Sequence, residues 1–107
     1  MMAGLNCGTP SILAWPVIRA MFDAYLAVDD EWSRRAMIRL YRPDGDDPSI
    51  ISGESGAAGL AGLLALCTDP HLRDARDVLD LGSTTRVLIV STEGATDPAN
   101  FRTVTGT

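Results

Sequence analysis

The chain has 107 residues, 46% of them hydrophobic and 21% charged, which suits one small domain with a packed core and excludes a disordered segment. A net charge of −5 leaves no basic footprint for nucleic acid, and the longest apolar run is far too short for a membrane span. All nine basic residues are arginine, so chemistry that needs a lysine amine cannot run on this chain alone.

Residues 2–10 read as a loop punctuated by Gly4, Gly8 and Pro10. A helix is predicted from about Leu13 to Val28, because Trp15, Ile18, Phe22 and Tyr25 recur at steps of three and four. Pro16 suits its first turn. Asp29 or Asp30 caps a second helix running to about Arg42. Trp32, Ala36 and Leu40 form its inner stripe. Arg34, Arg35, Arg39 and Arg42 make a solvated face or, alternatively, a face against another chain. Pro43 to Pro48 is an acidic turn without the spacing of a calcium loop.

Ile50-Ile51 is a short strand or extended entry into the glycine-rich turn Ser52 to Gly59, which opens a helix ending near Thr68. That helix is apolar nearly all round, so burial on several sides is expected. Asp69-Pro70 starts a further helix to about Leu79, with Arg73 and Asp77 spaced to pair, and Gly82 ends the unit. Arg86 to Val90 reads as the one strong strand, its continuous apolar run suited to a parallel sheet covered on both faces. Asp97-Pro98 caps a last helix to about Val104. One strong and one weak strand do not make a sheet. The inventory is a helical bundle with odd strands or part of a larger α/β domain, and the second reading better explains the apolar strand.

Cys7, Cys67 and the single histidine, His71, match no metal spacing, and no signal peptide is visible. Free thiols in a reducing cytoplasm are the expectation. Two stretches carry chemistry. Ser52 to Gly59 places Glu54 and Ser55 ahead of a helix N-terminus, with Gly53, Gly56 and Gly59 permitting close backbone approach. This is an anion or cofactor corner, or simple capping and tight packing. It is neither a dinucleotide fingerprint nor a Walker loop. Ser91 and Thr92 stand at the carboxyl end of the strong strand, where open α/β sheets bind ligands. Their hydroxyls serve a ring nitrogen or phosphate, or else only a turn that leads into the last helix.

Taken together, MAGLNCG, IISGESGAAGL and VLIVSTEGATDP, in this order and spacing, closely resemble the C-terminal part of the 2,3-diaminopropionate ammonia-lyases. These are pyridoxal-phosphate enzymes of fold type II, the tryptophan synthase β-like group. The resemblance covers nearly the whole chain. It implies that residues 1–107 are a single segment, the C-terminal portion of a three-layer αβα domain with mostly helices, one strong strand and one weak one. It implies pyridoxal 5'-phosphate as cofactor, an amino-acid substrate, and α,β-elimination of 2,3-diaminopropionate to pyruvate and ammonia. By position, Ser91 matches the serine that hydrogen-bonds the cofactor's pyridine nitrogen, with Thr92 beside it. Glu54 matches a glutamate near the ring oxygen, Gly53, Ser55 and Gly56 shape the pocket, and Gly4 and Gly8 lie in an entrance loop.

The family pattern has acidic residues where this chain has Thr9 and Ala95, which bears on substrate preference or loop packing. The family's Schiff-base lysine, main phosphate loop and acid/base aspartates lie earlier in the polypeptide. No catalytic residue is therefore expected in this chain, and it should be inactive alone. Its partner would be the N-terminal half of the same enzyme, in a cytoplasmic homodimer. Two alternatives stand beside this reading. One is a fragment of a related serine/threonine dehydratase-like lyase. The other is a stand-alone, non-catalytic dimerisation or partner-binding domain.

Overall fold

Local chemistry sets the starts of the helices. In the computed structural model, which describes residues 1–107, the helices are α1 (Trp15–Met21), α2 (Asp30–Tyr41), α3 (Ala58–Thr68), α4 (Arg73–Val78) and α5 (Pro98–Thr105), with short 3-10 turns at Ala3–Leu5 and Pro70–Leu72. The Asp29 carboxylate accepts the Glu31 N–H at 3.1 Å and starts α2, and the Asp97 carboxylate accepts the Asn100 N–H at 3.0 Å and starts α5. Asp69 does the same for His71 at 2.9 Å, opening the turn that leads into α4. Each satisfies a donor that helix geometry leaves unpaired. α5 ends at Gly106, whose φ of 71° suits glycine.

The core lies where α2, α3 and α5 meet. Ala36, Met37, Ala57, Ala61 and Phe101 are buried there, with Trp32, Leu40, Leu60, Leu64 and Val104 packed around them. Tyr41 meets Phe101 edge-on at 5.3 Å between ring centres. Three of the five central residues are alanine, so the helices approach closely but bury little apolar bulk. Only 13 of 107 residues are buried, and the radius of gyration is 14.7 Å against about 13 Å expected for this length. The arginines of α2 are exposed and bind locally: Arg34 and Arg35 pair with Glu31, Arg35 also lies over Trp32, and Arg39 pairs with Asp44.

Several expectations are corrected. No residue lies in a strand. The run Arg86 to Val90 makes no backbone–backbone hydrogen bond, and Ile50 makes only one, from its N–H to Leu40 O at 2.8 Å. A strand exists only through a ladder with a neighbour, and no neighbour is present. Leu88 is 90% exposed, although Ile89 leans on α3 at Gly59. The first helix stops at Met21 rather than Val28, because its apolar face has nothing to pack on: Trp15, Phe22 and Tyr25 are all exposed. Phe22 and Tyr25 stack on each other instead, and a helix without a packed face has little to sustain it. The predicted helix to Leu79 is a 3-10 turn followed by α4, ended by Asp80 in the left-handed region (φ 52°) rather than by Gly82. Arg73 and Asp77 do not pair, and Arg76 donates to the Cys67 carbonyl oxygen at 3.1 Å.

The all-apolar helix α3 is fully buried only along the side that carries Ala61 and Ala65, while Leu66 is buried at the edge of the groove on its other side. Its other side, with Gly59, Gly62 and Leu63, floors an open groove of about 770 Å³ walled by Leu5, Leu26, Leu81 and Val87. That much uncovered apolar surface predicts that the isolated chain self-associates and binds an apolar dye in solution. A dye-silent monomer by sedimentation would contradict this packing.

Candidate functional site

The glycine-rich turn and the segment after residue 90 fold against each other. The Gly53 N–H donates to the Glu93 carbonyl oxygen at 3.1 Å, and the Ser55 N–H donates to Glu93 Oε1 at 2.9 Å. Glu93 thus grips the turn with both backbone and side chain. The approach is close enough to demand glycine. A Cβ on Gly53 would meet the Gly94 carbonyl oxygen, and one on Gly56 would meet the Glu93 carbonyl oxygen. This contact sets Ser91 beside Ser52, with their hydroxyl oxygens 2.8 Å apart. Ser52 is fully buried, whereas Ser91 faces outward.

Glu54 points to the other side of the turn. Its Oε2 accepts the Met2 N–H at 2.7 Å, its Oε1 accepts from the Asn100 side-chain amide, and its carbonyl oxygen accepts the Ser33 hydroxyl at 2.9 Å. Glu54 therefore ties the first residues, α2 and α5 to the turn. A small cavity of about 160 Å³ lies here, lined by Gly4, Glu54, Glu93, Thr96 and Asn100 among others. No three His, Cys, Asp or Glu side chains converge to hold a metal ion.

The structure brings together Ser91, Glu54, Gly53, Ser55, Gly56 and Gly4, the last lying 2.9 Å, at its added Cβ position, from Ser55 Oγ. It does not bring in Gly8, which has open space around it, or the Thr92 side chain, which is exposed and makes no hydrogen bond. Ala95 is half-buried against the core, while Thr9 is exposed. Sequence reasoning missed Ser52, Glu93 and Asn100 as members. The only signal was that the first two stand inside the motifs that were singled out.

Ser55 Oγ is buried and has no partner. Ser55→Ala should therefore leave stability unchanged or raise it by about 1 kcal/mol, since it removes a desolvated hydroxyl. A loss of stability in urea denaturation would show that this hydroxyl has a partner after all.

Both comparisons with known proteins lead to lyases. Over its own length the chain is homologous to one segment of the diaminopropionate ammonia-lyases. It is 40% identical over 104 residues to the diaminopropionate ammonia-lyase of Escherichia coli K12, covering 97% of this chain and 26% of that protein. It is 40% identical over 99 residues to that of Salmonella typhimurium LT2, covering 92% of this chain and 24% of that protein. The backbone matches the crystal structure of the E. coli enzyme in complex with D-serine at a TM-score of 0.89, over 98% of this chain and 27% of that one. It matches the same enzyme in complex with an aminoacrylate-PLP azomethine reaction intermediate equally well, again at 0.89. The chain thus spans about a quarter of the relatives it matches. No protein-family model matches it. No helix is long and apolar enough to cross a membrane.

Proposed function

We propose that residues 1–107 are the C-terminal segment of a diaminopropionate ammonia-lyase and form the ring-nitrogen side of its pyridoxal-phosphate site. The observation that carries this is 40% identity across 97% of the chain to an enzyme crystallised with a PLP intermediate. When bound, the cofactor supplies an electron-accepting ring for α,β-elimination of 2,3-diaminopropionate to pyruvate and ammonia.

The residues present fit that side of the group. Ser91 offers an outward-facing hydroxyl backed by a buried one, and no cationic side chain hydrogen-bonds to either. A neutral hydroxyl can hydrogen-bond a ring nitrogen without holding it protonated. Thr92, exposed and without a hydrogen bond in this segment, would add a second hydroxyl only once the rest of the enzyme is in place. Gly53, Ser55 and Gly56 press the turn onto the loop that carries Ser91, and Glu54 anchors that turn to the rest of the segment. Gly4 lies against the turn, and Gly8, in open space here, would border the entrance with it in the whole enzyme. The lysine, the phosphate loop and the amino-acid acid/base groups belong to the remainder of the polypeptide, in a homodimer. The bare apolar run at residues 87–90 and the open groove beside α3 are where that remainder packs.

The test uses a hybrid in which this chain replaces the matching quarter of the E. coli enzyme. Ser91→Ala should cut its elimination rate or its PLP affinity about tenfold or more, an effect larger than one hydrogen bond in water and consistent with a water-excluded site. Unchanged rate and affinity would remove Ser91 from the site. Assays with diaminopropionate, serine and threonine separate this reading from a related dehydratase-like lyase. The exposed apolar groove favours one further reading, a non-catalytic dimerisation domain. A hybrid that folds and turns over diaminopropionate would count against it.

A further inference from the structure

We infer that Ser52 is a positioning residue that aims the Ser91 hydroxyl proton outward, toward the cofactor's ring nitrogen. The inference rests on the proposed placement of Ser91 at that nitrogen. Ser52 has no exposure to solvent, so its hydroxyl proton must find an acceptor inside the protein. Two are within reach: Ser91 Oγ at 2.8 Å and the Gly53 carbonyl oxygen at 3.5 Å. The first has the geometry of a good hydrogen bond and the second is at the limit of one.

Ser91 is placed differently. It faces outward, and its only other internal acceptor, the Glu93 carbonyl oxygen, is 3.4 Å away. If Ser91 gave its proton to Ser52, the sealed Ser52 proton would be left with the poor acceptor. The lower-energy arrangement has Ser52 donating to Ser91. One lone pair of Ser91 is then occupied from behind, and its own proton is free for an acceptor on the open side. A ring nitrogen that carries no proton is such an acceptor. Donation from behind also polarises the Ser91 hydroxyl and strengthens what it donates.

The turn is built to keep Ser52 in place. A Cβ on Gly56 would stand 2.7 Å from Ser52 Oγ, so glycine at 56 leaves that hydroxyl its room. The grip of Glu93 on Gly53 and Ser55 holds the two serine-bearing segments at bonding distance.

The test uses the hybrid enzyme loaded with PLP carrying ¹⁵N in its ring. Ser52→Ala should move the ring ¹⁵N resonance toward the value of a nitrogen with a weakened hydrogen bond. It should also weaken PLP binding about fivefold, the factor that goes with one neutral hydrogen bond. Ser52→Cys, a weak donor, should fall between the two. The thermal unfolding of the cofactor-free hybrid should change little in either variant, which separates aiming from folding. A resonance unmoved by Ser52→Ala but moved by Ser91→Ala would overturn the role of Ser52 and leave Ser91 in place. A resonance unmoved by Ser91→Ala would overturn the placement of Ser91 itself, and the role of Ser52 with it.

Discussion

Gly56→Ala should destabilise the fold by about 3 kcal/mol, the upper end of what overpacking costs, and detach the loop that carries Ser91. The added methyl would run into the Glu93 carbonyl oxygen and stand 3.0 Å from the Glu93 nitrogen. Both are backbone atoms, so no side chain can rotate away to make room. Relief would require the turn and the 91–94 segment to separate, which breaks the Gly53–Glu93 and Ser52–Ser91 hydrogen bonds. Gly8→Ala is the matched control. Gly8 has nothing near its Cβ position and its φ lies outside the left-handed region, so the change should stay within about 0.5 kcal/mol. Urea denaturation of the hybrid enzyme without cofactor reads both. Equal midpoints for the two variants would contradict the close approach of these segments.

The second large effect concerns turnover. On the proposed assignment this chain holds one wall of a cofactor site and lacks the amine that would anchor the cofactor, since its basic residues are all arginine. The chain alone should show no elimination activity. Joined to the missing three quarters, the same residues should support it. A core of small residues, an apolar run without ladder partners and an open groove beside α3 all support that proposal.

What could be read from sequence follows from how local each feature is. The starts of α2 and α5 were legible because an aspartate reaches a donor only two or three residues ahead. The inner stripe of α2 was legible in part: Ala36 is buried and Trp32 and Leu40 pack around the core, but Met37 and Ser33 are buried as well. The end of α1 was not legible, because its apolar periodicity says nothing about whether a partner covers it. Arg86 to Val90 has the composition of a strand, yet strand formation depends on a neighbour that the chain does not contain. Ser52 and Ser91 meet across 39 residues, and Ser55 and Glu93 across 38. Nothing in either stretch alone announces those pairings. The motif residues of the two stretches do lie in one corner of the molecule, but neither stretch shows which side chains hold that corner together.

The most direct test of the account is pyruvate release from 2,3-diaminopropionate in the presence of pyridoxal phosphate. It compares three proteins: this chain alone, the E. coli enzyme without its matching quarter, and the two joined as one hybrid. The account predicts release by the hybrid only. Release by the chain alone, or a soluble hybrid that binds the cofactor but forms no pyruvate, would contradict it.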